Sequence, residues 1–234
     1  MPSETGISQA AMRRLPTYLH LLHRRRDEGA EHISCSDIGR VLDLDPTQIR
    51  KDLEITGNVG RPRVGFRVSA LIDAIEDFLG WNKVNEALLV GAGNLGTALL
   101  GYERLKNYGV RIVAAFDADP ARVGTEIFGR RVLPVERLTS LISRMHITIG
   151  IITVPAEHAQ AVADMMVAGG IRAIWNLAPV SLRVPKHVVV QNDELYYSLA
   201  ALSRKLADSM KKSQPTGGLN PDASDARAQS VEPV

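Results

Sequence analysis

A chain of 234 residues with 45% hydrophobic and 23% charged residues holds one large domain or two modest ones around an ordinary core. A net charge of +2 excludes a chain that is basic throughout, so any nucleic-acid surface has to be a local patch. The single cysteine, Cys35, excludes an intrachain disulfide and a cysteine-built zinc cluster, and no metal site is expected. The N-terminus lacks an apolar signal core and no apolar run approaches the ~18 residues of a membrane span, so a cytoplasmic protein without membrane contact is expected.

Residues 1–7 read as a loose lead-in. Ser8 is placed to cap a helix with Ala11, Leu15, Leu19 and Leu22 at helical spacing, ending near Arg26, with a kink expected at Pro16. Ser34 and Asp37 form a capping-box pattern for a short helix through Ile38, Val41 and Leu42. Asp45-Pro46 then gives an N-cap followed by proline at the first helical position, and Thr47-Gln48-Ile49-Arg50-Lys51-Asp52-Leu53 continues that helix. Two short helices around a tight turn, the second led by polar and basic residues, fit a helix-turn-helix. Ile49 and Leu53 face the core in this reading, which turns Thr47, Gln48, Arg50 and Lys51 outward toward base edges and phosphates.

Gly57 to Arg67 mixes glycines, Pro62 and three arginines between short β-prone pairs, the pattern of a hairpin wing with a basic tip. From Gln48 to Arg67 the cations Arg50, Lys51, Arg61, Arg63 and Arg67 outnumber the anions Asp52 and Glu54. Such a local excess suits a phosphate-facing surface, because backbone contacts dominate affinity for DNA. Ser69 is read as the cap of an amphipathic helix through Leu71, Ile72, Ile75 and Phe78, ended by Gly80, and a polar connection follows.

The apolar run Ala87-Leu88-Leu89-Val90 enters Gly91-Ala92-Gly93-Asn94-Leu95-Gly96 and then a helix-forming segment, the G-x-G-x-x-G arrangement of dinucleotide folds. Gly91 permits the tight turn, Gly93 lets backbone approach a pyrophosphate, and Gly96 lets the helix lie on the strand. Val110 to Phe116 reads as a second buried strand ending at Asp117, an acid placed to accept from an adenosine ribose and to repel a 2′-phosphate. NAD(H) is therefore expected over NADP(H). Ala121 to Pro134 reads as a short excursion and Val135 to Met145 as a helix. Strands follow at Ile147–Val154, Ile171–Trp175 and Val188–Val190, with a helix over Ala156–Ala168. Strands alternating with helices predict an α/β, Rossmann-like doubly wound parallel sheet. Its strand ends gather Gly91–Gly96, Asp117, Thr153, Val154, Pro155, Asn176, Ala178 and Pro179 toward one crevice.

A last helix starts at Asn192 or Asp193, with Leu195, Leu199, Leu202 and Leu206 forming a seam that packs either on its own domain or on a partner subunit. From Ser213 onward Gly, Pro, Ser, Ala and Asp dominate, the composition of a disordered tail. The expected division is 1–82 winged-helix DNA-binding domain, 83–190 Rossmann domain, 191–212 dimerisation helix and 213–234 tail.

Together these features resemble the Rex family of redox-sensing transcriptional repressors. The resemblance rests on Arg14-Leu15-Pro16 with Tyr18, the Gln48–Leu53 helix, the glycine-studded wing and the Gly91–Gly96 turn. Phe116 to Pro120, Thr153 to Ala156 and Trp175 to Val180 extend it. The sequence departs from the usual pattern at Phe66, where tyrosine is common, and at Leu177, where phenylalanine is common. The resemblance implies a homodimer with exchanged C-terminal helices that binds near-palindromic operator DNA and leaves it when NADH binds, while NAD⁺ competes and permits binding. NAD⁺ carries a ring charge that a dry apolar pocket disfavours and NADH does not. Tyr102, on the glycine-turn helix, and Leu195 are candidates for that pocket, and Asp193 or Glu194 for the acid that changes partner between states. No catalytic residue is assigned. The alternatives are an NAD-dependent dehydrogenase with an accessory helical domain, which needs a proton-transfer residue from among His146, His158 and His187, and a CoA-binding module on the same sheet.

Overall fold

Ser8 opens α1 (Gln9–Asp27) by accepting a hydrogen bond from the Ala11 N–H, and Arg24, Arg25 and Arg26 close it against the negative end of its dipole. The computed structural model describes residues 8–58, 60–193 and 195–212, without the side chains of residues 195–197 and 211–212. The expectations for residues 1–7, Glu194 and 213–234 lie outside it. α1 runs through Pro16 without ending, its stripe of Leu15, Tyr18, Leu19 and Leu22 buried.

A strand too short to show a sequence period, β1 (His32–Ile33), comes next. α2 (Cys35–Leu42) starts at the Ser34–Asp37 capping box, and α3 (Pro46–Glu54) starts at Asp45 with Pro46 in its first turn. The wing is smaller than the expected hairpin. β2 (Phe66–Arg67) pairs antiparallel with β1, and among the described residues the wing closes on itself at the Arg61–Gly65 bridge. Gly65, at φ +87°, lies so close to the Ile33 carbonyl that a Cβ would collide with it. α4 (Val68–Leu79) leaves β2 directly, with Arg67 at its N-cap, so Ser69 is not the cap. The Val68 N–H is bound by the Glu31 carbonyl (2.9 Å), a tertiary bond that starts the helix where local sequence gives no signal. Leu15, Tyr18, Leu22, Ile38, Ile49, Leu53, Leu71 and Ile75 form the core of this half. Each buried side chain of this kind contributes ~1.5–3 kcal/mol.

Gly80, at φ +71°, ends α4, and β3 (Asn85–Val90) follows the connection. Trp81 meets the Tyr108 ring edge-on at 5.0 Å, a joint between the two halves. The second half continues as α5 (Asn94–Gly101), a 3₁₀ turn (Glu103–Tyr108) and β4 (Val110–Asp117). The expected excursion contains two strands, β5 (Glu126–Ile127) and β6 (Arg130–Pro134). Arginines and a turn at Phe128-Gly129 obscure the period there, and it is pairing with β4 that makes β6 a strand. Then come α6 (Leu138–Met145), β7 (Ile149–Ile152), α7 (Ala156–Gly169), β8 (Ala173–Asn176) and β9 (Val189–Asn192). β7 is shorter than its apolar run because only four residues find register with β3 and β8.

The sheet runs β5-β6-β4-β3-β7-β8-β9, all parallel except β5 against β6. Chain progress goes outward one way from β3 through β4 to β6, and the other way through β7, β8 and β9. That reversal leaves a crevice beyond the ends of β3 and β7, where doubly wound folds bind ligands. α8 (Leu195–Lys212) belongs to a separate compact unit beginning at Asp193. Leu199, Leu202, Leu206 and Met210 lie exposed along it at spacings of three and four.

Candidate functional site

In the N-terminal half the local sequence fixes α3 and tertiary contacts orient it. Ile49 and Leu53 are fully buried, as their spacing predicts, and Thr47, Gln48, Arg50 and Lys51 are exposed. Thr47 and Arg50 line a groove of about 640 Å³ with Arg61 and Arg63 of the wing. Arg67 faces the other side of the wing, where it lines a second recess with Arg26, His32 and Arg61. The wing arginines thus lie on both flanks of a short turn.

Asp52 is the residue that outward-face reasoning passed over. It lies three residues after Ile49, on the buried face of α3, and is 2% exposed. One carboxylate oxygen accepts from Arg14 Nε (2.6 Å) and the Tyr18 hydroxyl (2.7 Å). The other accepts from Arg14 Nη2 (2.8 Å) and Gln48 Nε2 (2.9 Å). Burial alone pushes this carboxyl up, but the hydrogen bonds from Arg14, Tyr18 and Gln48 outweigh it and hold the group below the ordinary carboxylate range. The same pair raises the Arg14 guanidinium, chiefly through its bond to Asp52, and burial pushes the Tyr18 hydroxyl up. The outer surface changes in two ways. Asp52 is neutralised inside the protein by Arg14, so Glu54 is the one anion left between Gln48 and Arg67 to oppose the cations. A carboxylate only accepts, so Gln48 turns its NH₂ inward and shows its carbonyl oxygen outward.

Cys35 lines the same groove, half-buried, and burial pushes its thiol up against the opposing influence of Arg50.

In the second half the glycine turn follows β3 at the reversal of strand order. Gly91 has φ +107°, and a Cβ there would lie 2.8 Å from the Thr153 carbonyl carbon. A Cβ on Gly96 would overlap the Gly91 carbonyl oxygen. Gly93 is the N-cap of α5 and brings no side chain to the first N–H groups of that helix, which lack intrahelical acceptors. Asn94 and Leu95 are exposed in this first turn, while Ala92 is buried. Asp117 ends β4 beside them. Its Oδ2 accepts from the Ala92 N–H (2.7 Å) and its Oδ1 from the Asp119 N–H (2.9 Å). Arg122, unremarked in the sequence, stands over the turn. Its Nη1 is 3.7 Å from Asp117 Oδ2, its Nε is 3.4 Å from Asp119, and a Cβ on Gly93 would lie 3.0 Å from Nη1. The readable signal was its spacing of three from Asp119.

The remaining crevice residues divide. Thr153 sits at the end of β7, its hydroxyl donating to the Gly91 (2.7 Å) and Val90 (3.0 Å) carbonyls, which braces the turn. Val154 is half-buried and Pro155 exposed at the start of α7. Pro179 is exposed and Ala178 buried in the loop after β8. Asn176, the last residue of β8, is fully buried. Its NH₂ donates to Val180 (2.7 Å) and Asn192 (2.8 Å), and its oxygen accepts from Ala178. Both donors are consumed in holding the loop.

Tyr102 differs from the expectation in its placement. It is the C-cap of α5 rather than a residue on that helix, about 12 Å from the glycine end at 1.5 Å per residue. There it lines a small recess with Leu105, Val110 and Arg130, beside the start of β4, so this chain alone does not bring it to the crevice. Leu195 opens α8, Asp193 is exposed just before it, and neither the Glu194 position nor the Leu195 side chain is among the described residues. Among the described residues no three His, Cys, Asp or Glu side chains gather as a metal would require, and no helix is long and apolar enough to cross a membrane.

Comparison with known proteins covers both halves. Residues 6–54 match a family model described as the N-terminus of putative DNA-binding proteins, and residues 82–180 match one described as a CoA binding domain. The redox-sensing transcriptional repressor Rex of Treponema denticola is 45% identical over 192 residues, covering 82% of this chain and 91% of the relative. That of Bacteroides thetaiotaomicron is 42% identical over 205 residues, covering 86% and 92%. Among solved structures, RSP in complex with β-NAD⁺ and operator DNA superposes with a TM-score of 0.82 at 33% identity, over 88% of this chain and 95% of that one. RSP in complex with β-NADH gives 0.78 at 33% identity, over 89% and 99%. Identity at this level over nearly the whole length of the relatives, across both halves at once, leaves one conclusion: the chain belongs to the family of redox-sensing transcriptional repressors named Rex.

Proposed function

We propose that this protein is a DNA-binding repressor that follows the NADH/NAD⁺ ratio and leaves its operator when NADH binds. The observation that carries the reading is one chain holding a cationic groove between α3 and the wing together with a glycine turn at the switch point of a parallel sheet. Arg50, Lys51, Arg61, Arg63 and Arg67 contact DNA phosphates or guanine edges, and Thr47 and Gln48 contact base edges or the backbone. The first turn of α5 receives the pyrophosphate, and Asp117 receives the adenosine ribose. Thr153, Val154, Pro155, Ala178 and Pro179 line the crevice toward the nicotinamide.

The division of labour is 1–82 for DNA, 83–190 for the nucleotide and 191–212 for a homodimer built through α8, in a protein of the cytoplasm. For NADH to act, it must bind the released geometry more tightly than the DNA-bound one. Leu195, and an acid at 193 or 194 that pairs with Tyr102 or an arginine in one state and loses that partner in the other, are the proposed elements of that difference. An operator gel shift titrated separately with NADH and NAD⁺ tests the proposal. Release by NADH alone is the expected result, and equal retention with both nucleotides overturns it.

The dehydrogenase reading finds little support, since His146, His158 and His187 are all exposed and His146 is the C-cap of α6. The description of the matched model over 82–180 keeps CoA on the test panel. Release of the operator by CoA and not by NADH supports that reading instead.

A further inference from the structure

Resting on the dinucleotide reading above, we propose that Arg122 is a selectivity residue at the adenosine end of the crevice, a 2′-phosphate ligand held in check by Asp117. The acid at the end of β4 accounts for preference against a 2′-phosphate, but it does not act alone in this chain. The Arg122 guanidinium lies over Gly93, with Nη1 within 3.7 Å of Asp117 Oδ2 and Nε within 3.4 Å of Asp119 Oδ2. Its side chain is 42% exposed and is positioned by these two carboxylates, while its backbone is fixed in the turn. The Arg122 N–H donates to the Asp119 carbonyl (2.9 Å), and the Arg122 carbonyl accepts from the Thr125 hydroxyl (2.6 Å). Gly93 is what leaves it room, because a Cβ there would stand 3.0 Å from Nη1.

A ribose bound to Asp117 places its 2′ oxygen beside that carboxylate, and so within reach of the guanidinium next to it. Asp117 and Asp119 outnumber Arg122 there, so a 2′-phosphate meets a net negative site and a free ribose hydroxyl meets an acceptor. With Asp117 made neutral, Arg122 faces a single acid. Its planar fork then matches a phosphate, as arginines do in dinucleotide sites that accept the 2′-phosphate. One carboxylate therefore separates the two cofactor classes in this protein, and the arginine needed for the other class is already in place.

The experiment measures dissociation constants of the full chain for NADH and NADPH by titration calorimetry, for the natural protein, R122A, D117N, and D117N with R122A. The natural protein is expected to prefer NADH. D117N should tighten NADPH by about tenfold or more through removal of a like charge and gain of a charge-assisted hydrogen bond, and adding R122A should erase that gain. R122A alone should weaken NADPH more than NADH, widening the preference by about threefold. NADPH binding to D117N that is indifferent to R122A, or an unchanged preference in R122A, overturns the proposal. Should D117N not fold, the R122A comparison decides alone. A natural protein that binds neither nucleotide instead overturns the dinucleotide reading itself, and this inference with it.

Discussion

Asp52 shows how much one side chain decides. Its four hydrogen bonds fix α1 to α3 and set the face of Gln48 at the same time. Asp52→Ala leaves Arg14 and Tyr18 without their partner, and the expected loss is about 3–5 kcal/mol of stability, read from urea unfolding followed by circular dichroism. The pH dependence has a definite sign. Because the folded carboxyl lies below its unfolded value of about 4, its contribution is complete above that pH and is lost as pH falls through the folded value. Tyr18 acts at the other end. Its hydroxyl is raised above the unfolded value of about 10, so its contribution is complete below that pH and declines as pH rises through the folded value. Because the two groups share a hydrogen bond, D52A should move both the acid and the alkaline unfolding midpoints, whereas Y18F should move the alkaline one most. Gln48→Ala should relax preference at one base pair by ~1–3 kcal/mol without changing the salt slope, as binding to base-substituted operators will show.

At the scale of elements, Arg50 of α3 shares one groove with Arg61 and Arg63 of the wing. Arg50→Ala with Lys51→Ala should reduce operator affinity at least a hundredfold and lower the slope of log affinity against log salt by about one for each phosphate no longer neutralised. NADH affinity should stay unchanged, since both side chains are exposed on α3 and the glycine turn belongs to another sheet. A fall in both activities together counts against the division of labour. The glycine turn is the less forgiving element. Gly91→Ala adds a Cβ at φ +107° and 2.8 Å from the Thr153 carbonyl carbon, so nucleotide binding and thermal midpoint should fall together, with a destabilisation of roughly 1–3 kcal/mol. Calorimetric unfolding with and without NADH measures both.

For the whole molecule, the proposed switch needs two copies and a joint. Leu202→Asp with Leu206→Asp places charges in the middle of the exposed apolar stripe of α8. Sedimentation should then show monomer, and tight operator binding should disappear because two half-sites no longer share one protein. The joint is Trp81 against Tyr108, where the connection between the halves meets the 3₁₀ turn after α5. Trp81→Ala should leave operator and NADH affinities measured separately within about threefold while reducing the effect of each ligand on the other, which reports the coupling free energy.

Local chemistry alone determined much of this protein. Caps at Ser8, Ser34 and Asp45 fix helix starts because the bonds involved span only two or three residues. The glycine turn is legible because Gly91 needs a positive φ and Gly96 needs close backbone approach, demands that no other residue meets. Uniform apolar runs marked β3, β4 and β7 as strands covered on both faces. Pairing between distant segments decided the rest. β1, β2 and β6 exist because partners far along the chain pair with them, and Val68 begins α4 because Glu31 binds its N–H. Asp52 reads as a surface acid until Arg14, 38 residues earlier, claims it. Asn176 reads only as a residue at a strand end until Asn192 and Val180 are seen to take both its donors. Tyr102 reads as part of α5 until that helix ends one residue before it. Periodicity and caps report a residue's neighbours within a turn or two, whereas the partner that satisfies a buried polar group comes from wherever the fold has folded back.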